Sequence, residues 1–196
     1  MAIPKIAVSI NEAESLALKA ARGSGLAWGV AEEVGYACRW LAERGLPFEE
    51  ALLRVLTEDL KSPIHAGITL SDAARETVGR CPLALGAIAE PVLLLPFIAN
   101  VARATSVALQ LAWQDGSFVL TPEAAFSTVV RSTELLLSHW QAAPGSPLTP
   151  LGKGNGGVLV RQSAWLRLTE LAARTYVPES AASRQKGAGS GGGEQD

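Results

Sequence analysis

Ser106-Val107-Ala108-Leu109-Gln110-Leu111-Ala112-Trp113-Gln114-Asp115-Gly116-Ser117-Phe118-Val119-Leu120-Thr121 is the stretch whose reading decides the fold class. From Ser106 to Trp113 the large apolar residues fall at every second position, placing Val107, Leu109, Leu111 and Trp113 on one face. That is the period of a strand, because successive side chains of extended backbone point to opposite sides. Asp115-Gly116 follows, and Ser117 to Thr121 reads as a return strand. An Asp-Gly pair between two such runs is the strongest short-range signal of a β-hairpin. The chain therefore carries antiparallel sheet in its second half.

Upstream of the hairpin the period changes to that of helices. Ser9-Ile10-Asn11-Glu12 has a capping residue with Glu three positions later, and Ile10, Ala13, Leu16, Ala17 and Ala20 then recur at helical spacing. A first helix is expected over about residues 10–22, stopped by Gly23-Ser24-Gly25. A second runs from about Gly29 to Arg44, with Val34, Ala37, Cys38 and Leu41 on one face. A third opens near Pro47, with the stripe Ala51, Leu52, Val55, Leu56 and Leu60. Residues 59–70 read as loop, and Ser71 to Val78 as a short fourth helix.

Leu83 to Val101 is apolar and about long enough to span a bilayer, but Glu90, Pro91, Pro96 and Asn100 interrupt it. A buried strand followed by a buried helix, with Pro96 near its start, is the better reading. Phe126 to His139 is ambiguous between strand and helix, and the Pro- and Gly-rich Ala143 to Gly157 reads as a surface loop. Val158 to Arg161 is a strand. Ser163 to Thr175 is a helix that turns Trp165, Leu166, Leu168, Leu171 and Ala172 inward. The expected architecture is α+β: a helical first third, then a mixed region with an antiparallel sheet and a C-terminal helix. Residues 1–182 form one domain, and 183–196 a Gly-rich tail that should be flexible on composition.

The bulk numbers exclude several functions. At 196 residues the chain can bury roughly 70% of its unfolded surface. Charged residues make up 18%, the net charge is −2, and no Lys/Arg run occurs, so neither nucleic acid nor an anionic membrane is an expected partner. Cys38 and Cys81 lack metal or disulfide spacing and read as free thiols in a reducing compartment. Met1 to Ser9 has no basic-then-apolar leader, so a cytoplasmic location is expected. No metal or other cofactor is implied.

Motifs with catalytic associations fail on context. Gly152, Gly154 and Gly157 spell G-x-G-x-x-G, but a strand follows where a dinucleotide site needs a helix. Ser183 to Lys186 matches S-x-x-K beside a glycine tail, not at a helix start. His65 and His139 are the sole histidines, and neither sits in a recognisable nucleophile motif. Cys81, next to Arg80, lacks a neighbour set that would make it a thiolate.

Two segments hold the candidate site. In Lys19-Ala20-Ala21-Arg22-Gly23-Ser24-Gly25-Leu26-Ala27-Trp28-Gly29-Val30-Ala31-Glu32-Glu33, cations close one helix and carboxylates open the next. Favourable interactions with the helix dipoles explain those placements. They also put Trp28 on a glycine-flexible loop beside Lys19 and Arg22, a set suited to a small carboxylate or the acidic tail of a partner protein. The second segment, Thr175 to Arg184, is a polar lead-out in which Tyr176 and Arg184 could anchor the chain over the first. The candidate ligand-binding residues are thus Lys19, Arg22, Trp28, Glu32, Glu33, Tyr176 and Arg184. With Glu32, Glu33 or Cys81 moving a proton, the same set would suit a small enzyme acting on a carboxylate. A homodimer using Trp113 and Trp140 is a third reading.

The K-A-A-R-G-S-G-L-A-W-G-V-A-E-E run, the T-Y-V-P-E-S-x-x-S-R lead-out and the opening Ser9 to Glu14 together resemble the bacterial family called domain of unknown function 3726. The resemblance implies a soluble bacterial protein and brings no activity with it. The first two helices also resemble the N-terminal helices of the malate/L-lactate dehydrogenase family that lacks a Rossmann fold. Glu43-Arg44-Gly45 stands where that family has Ser-His-Gly.

Overall fold

A computed structural model of the chain describes residues 4–58, 62–129, 132–141, 147–152, 154 and 156–175. It is an α+β structure. Strand β1 (Lys5–Ser9) leads directly into α1 (Ile10–Gly23), followed by α2 (Trp28–Glu43), α3 (Glu49–Thr57), α4 (Pro63–Asp72) and α5 (Ala74–Gly79). A two-residue strand β2 (Leu83–Ala84) and a 3₁₀ turn (Pro91–Leu94) precede α6 (Leu95–Thr105). Strands β3 (Leu109–Ala112), β4 (Ser117–Leu120), β5 (Ala125–Thr128), β6 (Leu136–His139), β7 (Leu148–Pro150) and β8 (Gly157–Arg161) follow, and α7 (Gln162–Ala173) closes the described chain.

The hairpin forms as the sequence requires. Leu109 faces Leu120 and Leu111 faces Phe118, and Leu109 and Leu111 are fully buried. These strands sit at the centre of an antiparallel sheet ordered β2-β6-β3-β4-β5-β7. The turn, however, is shifted by one residue from the expected position. Ala112 pairs with Ser117, and the Trp113 N–H donates to the Gly116 carbonyl at 2.8 Å, so Gln114 and Asp115 occupy the corner. Neither takes a positive φ, as a mirror-image turn would need. Gly116 is instead a close-approach glycine, because an added Cβ would lie 2.2 Å from the Trp113 ring. That ring stacks on Phe118 at 5.6 Å between centroids.

The helical layer is held by small residues. Ala13, Ala17, Ala20 and Ala21 of α1 are buried, letting α2 and α7 pack closely on either side of it. The capping box is present: the Ser9 N–H donates to Glu12 Oε2 at 2.7 Å, and the Glu12 N–H donates to Ser9 Oγ at 3.2 Å. Buried Leu95, Phe97, Ile98 and Val101 of α6 join the helices to β3 and β4 in one apolar cluster that runs from Val8 to Ala172. Each fully buried side chain of this kind contributes roughly 1.5–3 kcal/mol. Among the described residues no helix is long and apolar enough to cross a membrane.

Five readings need correction. Residues 62–70 are not loop: Ser62 caps α4, its Oγ accepting the His65 N–H at 3.4 Å, and Pro63 occupies the first turn, where a missing N–H is harmless. β1 was not expected, since its partner β8 is some 150 residues away and five residues show no clear alternation. In the apolar stretch, the expected buried strand is the short, half-exposed β2 at the sheet edge. Leu166 is 54% exposed, so the inward face of α7 is Ala164, Leu168, Leu171 and Ala172. The ambiguous 126–139 region resolves into β5 and β6, and the supposed loop after Ala143 contains β7. Leu60 and residues 183–196 lie outside the described residues.

Candidate functional site

The site is built where α1 ends. The Leu26 N–H donates to the Ala21 carbonyl at 3.1 Å and the Gly25 N–H to the Arg22 carbonyl at 3.0 Å. This is the Schellman pair, and it requires a residue at positive φ, which Gly25 supplies at +99°. The reversal sends the chain straight into α2, whose first residue is Trp28. Inside the reversal the Arg22 guanidinium donates from Nη1 to the Leu26 carbonyl, fixing the loop from within. The same guanidinium lies 5.5 Å from the centroid of the Trp28 ring, within cation–π reach. Trp28 is 60% exposed, yet its indole N–H donates to Glu32 Oε1 one turn later at 2.8 Å, which orients the ring.

α7 supplies the opposite wall. Its C-terminal end meets the end of α1 so closely that a Cβ on Gly23 would fall 1.8 Å from the Leu171 carbonyl oxygen. The two helix ends and the start of α2 enclose a cavity of about 550 Å³, lined by Leu18, Lys19, Arg22, Gly23, Gly25, Trp28, Arg174 and Thr175. Three of these are cationic and none is acidic. Arg22 and Arg174 also lie at helix C-terminal ends, where the backbone dipole favours positive charge. Ala27 gives α2 no side-chain cap.

The structure thus brings Lys19, Arg22 and Trp28 together at one cavity and attaches Glu32 to it through the indole. Glu33 is half-buried on α2 and outside the lining. Tyr176 and Arg184 lie outside the described residues, although Thr175, the residue before Tyr176, lines the cavity. Arg174, Leu18 and Gly23 were not singled out from the sequence. Arg174 had a legible signal, a cation in the last turn of the expected helix, but which helix end it would meet is a tertiary fact.

Other sequence candidates lie elsewhere. Cys81 is half-buried, its Sγ donates to the Thr77 carbonyl at 3.4 Å, and desolvation pushes its thiol pKa up, away from a thiolate. His139 Nε2 is 3.1 Å from the Val78 carbonyl, tying β6 to α5. The Gly154 N–H donates to the Glu43 carbonyl at 2.6 Å, which anchors that glycine to the end of α2. Trp113 is packed on Phe118 and partly buried in its own chain.

Residues 8–81 match the family model described as protein of unknown function (DUF3726). Over that stretch the chain is similar to this family. No curated protein and no solved structure matches it. The DUF3726 match covers α1 to α5, and so Lys19, Arg22, Trp28, Glu32 and Glu33. The α7 wall, with Arg174, lies beyond it.

Proposed function

We propose that this chain is an accessory, small-ligand-binding protein of bacterial small-molecule metabolism, working in the cytoplasm without catalytic activity of its own, and that its ligand is a small carboxylate. One observation carries the reading: the 550 Å³ cavity between α1, α2 and α7 gathers Lys19, Arg22 and Arg174 around an aromatic wall, with no acidic residue in its lining among the described residues. Among the described residues an anion entering it meets three cations and no like charge, which favours both encounter and retention. Trp28 and Leu18 offer apolar area for the rest of the molecule. The enzyme reading has less support: the Glu32 carboxylate is committed to the indole, and Glu33 and Cys81 are not in the lining.

The test is calorimetric titration of the full chain with a panel of mono-, di- and tricarboxylates. At least one should bind, and Arg22→Ala and Arg174→Ala should each weaken it about tenfold to a hundredfold, since a hydrogen bond to a charged group contributes ~1.5–3 kcal/mol. Arg22 also braces the loop, so exposed Arg174 is the cleaner variant. Absence of binding across the panel, or binding indifferent to both substitutions, refutes the proposal.

A further inference from the structure

A second cavity lies at the other end of α2, and no part of the carboxylate reading uses it. It measures about 280 Å³ and is bounded by the last turns of α2, by α6 and by the turn between β4 and β5. That volume is about nine waters' worth of space, at the lower edge of the range for small-ligand sites.

Its polar groups divide into those already satisfied and those left over. Arg39 is satisfied: its Nη1 lies 2.6 Å from Glu14 Oε2 and its Nε 3.1 Å from Glu43 Oε1. Asn100 Oδ1 accepts from the Tyr36 hydroxyl at 2.8 Å and from Arg103 Nη2 at 3.0 Å. Both donors fix the amide so that its NH₂ group has no partner among the described residues. Arg103 has no carboxylate within 4.0 Å among the described residues, and Glu123, on the β4–β5 turn, has neither a cation nor a hydrogen-bond donor there.

Arg44 is the most constrained of the set. Its side chain is 12% exposed and its guanidinium lies 3.8 Å from the centroid of the Trp40 ring. Nη1 donates to the Trp40 carbonyl at 3.0 Å and stands 3.6 Å from Glu43 Oε2. Burial lowers its pKa, so an anion reaching it would recover charge stabilisation that the protein interior withholds.

Beyond these contacts the lining offers the Arg103 guanidinium, the Arg44 N–H groups that Trp40 does not use, the Asn100 NH₂ group and, among the described residues, one carboxylate without a partner, Glu123. We propose that this cavity binds a small zwitterion of amino-acid size, its carboxylate held by Arg103, Arg44 and the Asn100 amide and its ammonium by Glu123. A plain dicarboxylate is disfavoured here because it would be brought against Glu123. That unpaired carboxylate is what separates this cavity from the one at Trp28, where no acid lines the space among the described residues.

The experiment is titration calorimetry of the full chain with the twenty proteinogenic L-amino acids. Any that bind are followed by their N-acetyl derivatives, which lose the ammonium, and by the matching amines, which lose the carboxylate. At least one amino acid should bind, with both analogues at least tenfold weaker. Arg103→Ala and Glu123→Gln should each weaken binding at least tenfold at an unchanged melting temperature, since both side chains are exposed. Arg174→Ala, at the other cavity, should leave it unchanged. No binding at millimolar concentration, an N-acetyl derivative that binds as well as its parent, or binding untouched by both substitutions overturns the proposal. None of these results bears on the carboxylate panel, so the two readings fail separately.

Discussion

Gly23→Ala tests the packing on which the Trp28 cavity depends. Gly23 is the last residue of α1, and a methyl placed there would lie 1.8 Å from the Leu171 carbonyl oxygen and 2.7 Å from its carbon. Carbon atoms do not approach so closely, and the obstacle is backbone of α7, not a side-chain tip that can swing away. The two helices must separate by roughly an ångström or more, and a close-packed interior does not absorb that freely. Overpacking of this kind costs about 1–3 kcal/mol, offset by the ~0.5–1 kcal/mol that Ala gains over Gly within a helix. Because the clash is with backbone, the upper half of the range applies, leaving a net loss of about 2 kcal/mol. For a chain of this size that lowers the melting temperature by roughly 4–8 °C. Gly29→Ala is the matched control: it lies in the first turn of α2 with nothing within 4 Å of the added Cβ, so the same chemical change should be neutral or slightly stabilising. Thermal and urea unfolding of both variants decide the matter. If Gly23→Ala melts at or above the wild type alongside Gly29→Ala, α1 and α7 do not approach as described and the cavity between them loses its basis.

Other consequences are testable in the same way. Gly116→Ala places a methyl 2.2 Å from the Trp113 ring, so it should shift the near-ultraviolet circular dichroism of that Trp113–Phe118 stack and cost about 1–3 kcal/mol; an unchanged spectrum would contradict the turn geometry. The buried Glu49 carboxylate accepts the Phe48 N–H at 3.1 Å and the Arg161 N–H at 2.9 Å, joining α3 to β8, so Glu49→Gln should cost about 1–3 kcal/mol in urea unfolding. Burial raises the thiol pKa of both cysteines, with Glu49 adding to the effect at Cys38; at pH 8 Cys81 should react with a disulfide reagent more slowly than a free thiol, and Cys38 only on unfolding. Glu12, accepting the Ser9 N–H, ionises below the ordinary range near 4.5. Its contribution is therefore present above that range and lost as pH falls through the lowered value, so the melting-temperature gap between wild type and Glu12→Gln should close in acid.

Local signals were legible and long-range ones were not. The Ser9 capping box, the glycine reversal after Arg22 and the period-two run from Leu109 each involve residues a few positions apart, and each reads directly from sequence. β1 stabilises only by pairing with β8, and five residues carry too little pattern to announce it. Pro63 was misread because proline marks both a loop and a helix start, and only the Ser62 cap separates the two. Gly116 was assigned a conformational role when its actual role is steric, a distinction that needs the position of the Trp113 ring. At the candidate site, Arg22 and Trp28 flank one short loop and were visible together. Arg174 reaches them only through α1–α7 packing.

Both cavities use α2. Trp28, its first residue, lines one; Tyr36, Arg39, Trp40 and Glu43, on its second half, line the other. Sixteen residues of helix separate the two ends by about 24 Å. Between them α2 buries Ala31, Val34, Ala37, Cys38 and Leu41 completely, so one face of the helix is held in the core. A substitution in that buried face would disturb both cavities at once and could not distinguish them. Substitutions at Arg174 and Arg103 share no contact with each other among the described residues. At this separation their effects on stability and binding should add within about 0.5 kcal/mol. A measured coupling larger than that would show that the two cavities are energetically linked through the packed helices between them. The two cavities would then be a linked pair, each reporting on the occupancy of the other.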